Sequence, residues 1–280
     1  MAKAPVKAYD IEHFDGNAKE KSRDIVVAEE PLEIRLKFYH NGGFDEKRLA
    51  VTMRTPGNDF ELAIGFLITE GIISSYADVQ KIHYCEAVAS EEEEGNVLMI
   101  NLKEDIILDE SIFNRNFYVS SSCGVCGKSS IESVRQSCPT IQQNETTVQV
   151  DLIHRIPEIS AEAQQVFRHT GGLHAAALIS SSGELLLIRE DVGRHNAVDK
   201  LIGARAIESM DNSDCILFVS GRAGFELVQK CLMGCIPIMV AVGAPSSLAV
   251  DMARDGGLTL IGFTRSGRFN VYSGLERISG

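Results

Sequence analysis

The residues best suited to chemistry lie in the run Ser121-Ser122-Cys123-Gly124-Val125-Cys126-Gly127. Two thiols at Cys-x-x-Cys spacing can meet as a redox pair, give half of a zinc site, or act as nucleophile and helper. A closed zinc site needs a second compact ligand pair. Cys138 stands alone, and His83 and Cys85 fall on an expected strand well upstream, so no structural or catalytic zinc is expected. A dithiol oxidoreductase would place its pair at a helix start directly after a βαβ strand. Here serines and glycines surround the thiols instead, a setting suited to presenting sulfur to successive partners. Cys231 and Cys235 share a helical face with Phe225, Val228 and Leu232, and Cys215 opens an apolar strand, so these three thiols are expected in the core.

A second constellation sits in loops next to expected strands. Thr170-Gly171-Gly172-Leu173-His174 precedes one strand, and Arg189-Glu190-Asp191-Val192-Gly193-Arg194-His195-Asn196 joins another to a helix. Ser220-Gly221-Arg222-Ala223-Gly224, Gly243-Ala244-Pro245-Ser246-Ser247 and Phe263-Thr264-Arg265-Ser266-Gly267-Arg268 each leave a strand. Parallel strands gather such loops at one edge, where open sheets bind ligands. Small residues, helix N-termini and arginines suit phosphate or nucleotide groups. Neither the dinucleotide fingerprint nor the phosphate loop is present, so the expectation of an anionic, nucleotide-like ligand rests on the loops occurring together. His195 reads either as an acid–base residue oriented by Asp191 or Asp199, or as a capping or surface residue; His174 is open to the same two readings.

The elements that must position these loops follow from the apolar pattern. Residues 1–23 are polar and without period and read as a loose, flexible arm. Leu32, Ile34, Leu36 and Phe38 alternate as a strand that turns at Asn41-Gly42-Gly43 into a partner through Leu49, Val51 and Met53. Asn58 and Glu61 have capping-box spacing before a helix with Phe60, Ala63, Ile64, Leu67 and Ile68 on one face. Strands are expected over 79–88 and 97–102, with the acidic Glu91 to Glu94 at a solvated tip, and a short helix over 129–136. The second half predicts a helix over 160–169, a hairpin of strands 175–180 and 184–188, then helices over 194–210, 224–233 and 247–254 alternating with strands over 215–219, 237–242 and 258–263. The expected class is α/β: a three-layer α/β/α domain over 151–280 and a smaller α+β domain over 24–150 that carries the cysteine loop 120–128.

The 280 residues carry 39 acids against 27 Lys and Arg, a formal charge of -12, which argues against nucleic acid as the partner. No apolar stretch follows the N-terminus, and the apolar run near 235–242 is too short to span a bilayer. A cytoplasmic location without membrane association is expected, with reduced thiols.

Several motifs occur together in order. They are Glu30-Pro31-Leu32, Arg54-Thr55-Pro56-Gly57 with Glu61-Leu62-Ala63-Ile64-Gly65-Phe66-Leu67 and Glu70-Gly71-Ile72-Ile73, and the Cys123-Gly124-x-Cys126-Gly127 loop. Then come Thr170-Gly171-Gly172-Leu173-His174, Glu190 through Lys200, Ser220-Gly221-Arg222 and Asn270-Val271-Tyr272-Ser273. Over residues 24–278 the chain resembles the FdhD/NarQ family of formate dehydrogenase accessory proteins. The resemblance implies a sulfurtransferase that accepts sulfur from a cysteine desulfurase and passes it to the bis(molybdopterin guanine dinucleotide) molybdenum cofactor for formate dehydrogenase. By that resemblance Cys123 holds the persulfide, Cys126 assists or merely shares the loop, and Phe263, Thr264, Arg265, Ser266, Gly267 and Arg268 bind cofactor. Gly171, Gly172, His174, Arg194, His195, Ser220, Gly221 and Arg222 are expected to join them, and a homodimer is implied. The family's second domain resembles the cytidine-deaminase-like fold. The deaminase ligand motifs are replaced here by Gly193-Arg194-His195-Asn196 and Ser220-Gly221-Arg222-Ala223, so base deamination is not expected. A non-enzymatic cofactor chaperone and a dithiol oxidoreductase remain as competing expectations.

Overall fold

In the computed structural model, residues 3–86, 88–108, 112–113, 117–119, 138–141, 146–211 and 213–280 are described. Cys123, Cys126 and the expected helix over 129–136 lie outside them.

The expected loose arm is instead a hairpin of β1 (Val6–Asp15) and β2 (Ala18–Val27). Its polar sequence hides the strand pattern because the charges pair across the ladder: Asp10 faces Arg23, Glu12 faces Lys21, and Lys19 reaches Glu12 at 2.6 Å. At its root Ala28 N–H donates to Pro5, and Lys3 and Lys7 hold Glu30 at 2.9 and 2.8 Å. Burial works against ionised Glu30, but hydrogen bonds from Lys7, Lys3 and Asn96 outweigh it and bring the carboxyl down to about 2.

β3 (Glu30–His40) and β4 (Gly43–Arg54) pair antiparallel around Asn41 and Gly42, both at positive φ, as this tight turn requires. α1 (Asp59–Thr69) follows, but without the capping box: Asn58 is left-handed at φ 57 and its side chain caps nothing. The adjacent charges are used elsewhere. Asp59 takes both arms of the buried Arg54 guanidinium at 3.1 and 2.8 Å, and Glu61 takes Arg189 at 2.5 and 2.9 Å. β5 (Val79–Tyr84), β6 (Val97–Leu102) and β7 (Phe117–Val119) complete a sheet in the order β5-β6-β3-β4-β7.

β8 (Val148–Gln149) leads into α2 (Val150–Ala163) and the short α3 (Phe167–Thr170), so the helix expected over 160–169 starts earlier and breaks. Its buried period, Leu152, Ile153, Ile156 and Ser160, runs past an internal Pro157 that interrupts the sequence pattern. Next come β9 (His174–Ser180), β10 (Leu185–Asp191), α4 (Arg194–Ile207), β11 (Cys215–Val219), α5 (Phe225–Met233), β12 (Ile238–Ala241), α6 (Ser247–Asp255), β13 (Thr259–Arg265), β14 (Arg268–Ser273) and β15 (Ile278–Ser279). The second sheet has the order β10-β9-β11-β12-β13-β14, with β8 and β15 paired separately. β14 is a strand the sequence reading lacked.

Alternation along these strands divides the core. Ala177, Ile179, Phe218, Val240 and Ile261 meet Leu152, Ile153 and Ile156 of α2, while Leu178, Leu217, Met239 and Leu260 face the opposite layer of α4, α5 and α6. That second cluster continues through Val198, Leu201 and Ile202 to Leu62 and Leu67 of α1, and on to Leu32, Ile34 and Phe38 of β3. The two sheets therefore share one apolar core across α1 and α4. Among the described residues no helix is long and apolar enough to cross a membrane.

Glycines set the approach of α1 to α4. A Cβ on Gly65 would lie 1.8 Å from Asp199 O, and one on Gly203 1.8 Å from Glu61 O. Both obstacles are backbone, so neither can swing aside. Gly203→Ala is expected to force the helices apart and cost about 3 kcal/mol, the upper end for overpacking, read as a lower urea midpoint. An unchanged midpoint would mean that the crossing relaxes freely.

Candidate functional site

The strand directions bring the glycine-rich loops together. β9 is antiparallel to both β10 and β11, so the end of β10, the start of β9 and the ends of the parallel β11, β12 and β13 share one edge. Asp191 pairs with His174, and Ser220 is bonded to Ala175 both through its N–H and through its hydroxyl, which accepts from Ala175 N–H at 2.9 Å. Gly243 N–H donates to Gly221 and Phe263 N–H donates to Gly243, at 2.9 and 3.1 Å. A Cβ on Gly243 would lie 2.9 Å from Arg222 Cα, so this close approach requires glycine.

Within the edge, Gly221 lies against both His174 and Arg194. Burial first, then Arg194 and His195, hold His174 below the ordinary histidine range, which favours a neutral imidazole. Two buried polar atoms there have no hydrogen-bond partner: Arg194 Nε and the hydroxyl of Thr264, a residue only 1% exposed. Beyond them a cleft is lined by Phe263, Arg265, Arg268 and Asn270. Phe263 is exposed and held at φ 53, a costly conformation for an aromatic residue, and Ser266 and Gly267 make the turn between the two arginines. Arg222 is exposed at the neighbouring loop, and Gly172 passes beside Val27 at the hairpin root. Unsatisfied donors, exposed guanidiniums and an aromatic face form a donor set suited to a nucleotide with a pyrophosphate.

The other expected residues separate from this edge. Neither Asp191 nor Asp199 orients His195. Asp191 is taken by Lys200 at 2.8 Å, by the Thr55 and Gly193 N–H groups and by Asn196; Asp199 is taken by Lys230 and Thr69. His195 instead has its Nε2 3.0 Å from Oε2 of Glu226, a residue in the first turn of α5 that no sequence spacing connected to it. Cys231 is buried as expected, with its thiol pushed up by burial, but Cys235 is exposed. The helix ends at Gly234, and Cys235 takes the left-handed position at φ 53 that closes it, off the helical face. Among the described residues no group of three or more His, Cys, Asp or Glu side chains is placed to hold a metal ion. The chain enters the cysteine segment from Val119, whose backbone pairs with Thr52, and the Thr52 hydroxyl donates to Asn196 at 3.2 Å.

These features define a mixed α/β protein with a glycine- and arginine-lined edge of strand ends. The chain belongs to the FdhD/NarQ family, whose model matches residues 27–279. A relative from Streptomyces coelicolor named sulfur carrier protein FdhD is 48% identical over 261 residues, 91% of this chain and 89% of its own. One of the same name from Saccharolobus solfataricus is 42% identical and covers 98% of both chains. The fold is similar to a crystal structure from Desulfotalea psychrophila, described as a candidate formate dehydrogenase accessory protein, with a TM-score of 0.75 at 22% identity over 98% of this chain and all of that one.

Proposed function

We propose that this protein is a cytoplasmic sulfur carrier: Cys123 accepts a sulfur atom from a cysteine desulfurase as a persulfide and yields it to the bis(molybdopterin guanine dinucleotide) molybdenum cofactor destined for formate dehydrogenase. The observation that carries the reading is the family match over residues 27–279, which spans both the cysteine run and every loop of the edge. The edge supports it physically. Arg222, Arg265 and Arg268 offer bidentate donors to pyrophosphate, Phe263 offers a face for guanine, and Arg194, His174 and Thr264 offer inner polar contacts. Gly171, Gly172, Ser220, Gly221, Ser266 and Gly267 let the backbone approach the ligand. The molybdenum cofactor is thus the acceptor substrate, and its metal centre supplies the site to which sulfur is bound.

Chain length favours delivery. In the sequence Cys123 follows only four residues after Val119, whose backbone pairs with Thr52. Two guanine arms on one cofactor suit a two-fold homodimer that gives one edge to each. The order of the second sheet and its flanking helices supports a cytidine-deaminase-like reading of the C-terminal half, with the deaminase ligands replaced by Arg194, His195 and Arg222.

Incubation with a cysteine desulfurase and cysteine is expected to add one sulfur to Cys123, located by intact mass and peptide mapping; a protein that binds cofactor but never carries sulfur would be a chaperone. For the edge, reversing Arg265 and Arg268 to Glu is expected to weaken guanosine diphosphate binding by roughly 100-fold or more, at about 1.5–3 kcal/mol per charged hydrogen bond lost. An unchanged titration would reject the assignment.

A further inference from the structure

We propose that the β1–β2 hairpin is the clasp through which two copies of this chain pair, stacked face to face about a two-fold axis that runs along the hairpin. The inference extends the dimer of the carrier reading above, but the hairpin itself carries it. Its ladder reaches about 30 Å, and none of its strand residues is buried. The root is fixed at Ala28, Glu30 and Gly172. Among the described residues, no hydrogen bond or ion pair links Tyr9 through Val26 to the rest of the chain. A two-stranded ladder is marginally stable alone in water, and this one leaves Phe14 61% and Ile25 43% exposed. Large apolar side chains on so thin a support mark a surface that is covered in use.

Alternation puts five cross-strand pairs on one face: Val6 with Val27, Ala8 with Ile25, Asp10 with Arg23, Glu12 with Lys21, and Phe14 with Lys19. On this face the acids belong to β1 and the bases to β2. Lys19 reaches Glu12 at 2.6 Å, whereas Asp10, Lys21 and Arg23 have no ion-pair partner among the described residues.

A two-fold dimer sets a surface against its own image, and the charges then choose among its forms. Edge pairing brings β1 to β1, acid on acid, or β2 to β2, base on base. Stacking with the axis across the strands again lays β1 over β1. Stacking with the axis along the strands lays β1 over β2, so that Asp10 meets Arg23, Glu12 meets Lys21 and Ala8 meets Ile25 of the second copy. Only this last form opposes unlike charges throughout. It also covers Phe14 with Lys19 of the second copy, repeating the cation–π contact that Lys19 makes with Phe14 within the chain. Five pairs give about half the residues of a standard interface, so a dissociation constant in the micromolar range is expected.

Sedimentation velocity of the full chain from about 1 to about 100 µM is expected to show a monomer–dimer equilibrium. Asp10→Lys with Glu12→Lys makes the two central pairs wholly basic, and Lys21→Glu with Arg23→Glu makes them wholly acidic. Each variant alone is expected to stay monomeric over that range. Their equimolar mixture is expected to recover the dimer, because every central pair then opposes unlike charges. A monomeric parent, a charge variant that dimerises as the parent does, or a mixture that stays monomeric overturns the proposal. Like charges across its own ladder strain each variant hairpin, so Phe14→Ser with Ile25→Ser, which keeps the ion pairs, supplies a second measure. It is expected to raise the dissociation constant about 30-fold, and a parent-like constant again overturns the clasp. A parent that dimerises through this arm yet never loads sulfur strikes the carrier reading alone. A sulfur-loading dimer indifferent to these substitutions strikes the clasp alone.

Discussion

Cys123→Ser is expected to abolish both the persulfide adduct and the activation of formate dehydrogenase, while the urea midpoint and guanosine diphosphate binding stay at the parent values. Serine keeps the shape and removes the sulfur on which a persulfide forms. Three of the described thiols are poor substitutes. Burial pushes the Cys215 thiol up to about 11, which leaves about one thiolate in ten thousand at neutral pH, and burial raises Cys231 and Cys85 as well. Cys235 is exposed and so is the informative control. Cys235→Ser is expected to leave loading intact, and an adduct on Cys235 in the Cys123→Ser protein would mean that exposure alone captures sulfur. Cys126→Ser separates the remaining mechanisms: loading that persists with turnover intact excludes a dithiol cycle, whereas loading without release assigns Cys126 to discharge.

How much of the fold could be read in advance depended on where each element's stabilisation resides. β11, β12 and β13 are covered on both faces and so appear as continuous apolar runs, and α1 is apolar and buried along almost its whole length. β1 and β2 have no such stripe; their pairing lies in charges that meet only after the turn at Gly16 forms. β14 alternates only weakly and follows directly on the arginine loop, so it reads as tail. The capping box at Asn58 does not form because Asn58 is left-handed and Arg189, distant in sequence, holds the Glu61 carboxylate that the box requires.

The candidate site divides in the same way. Loops that topology collects at one edge are legible because the order of strands and helices is legible. Their individual duties are not. Within the run from Glu190 to Lys200, Glu190 accepts from the Val166 and Phe167 N–H groups and caps α3, while Asn196 and Lys200 reach Met53 and Thr55 across the molecule. Most of that motif therefore joins the two halves, and only Arg194 and His195 are left for ligand or proton. Glu226 carried no signal because its relation to His195 exists only after α4 and α5 have packed.

That joining function predicts a large loss for Lys200→Met. Lys200 is 1% exposed and bridges Asp191 to the Thr55 carbonyl, both at 2.8 Å. Its removal leaves the Asp191 carboxylate buried without a counter-charge, an arrangement that costs about 3–5 kcal/mol. Against a total stability of about 5–15 kcal/mol, that is expected to halve the urea midpoint or abolish soluble expression. Adding Asp191→Asn is expected to return part of the loss. The neutral amide keeps its oxygen on the Gly193 N–H and Asn196 while no charge remains to be desolvated. Recovery stays incomplete because the amide nitrogen then faces the Thr55 N–H, donor against donor. A double variant no more stable than Lys200→Met alone would show that Lys200 acts through its carbonyl bonds and not through the ion pair. A parent-like single variant would mean that β4 and α4 are held by their apolar contacts, with the buried charges contributing no net stability.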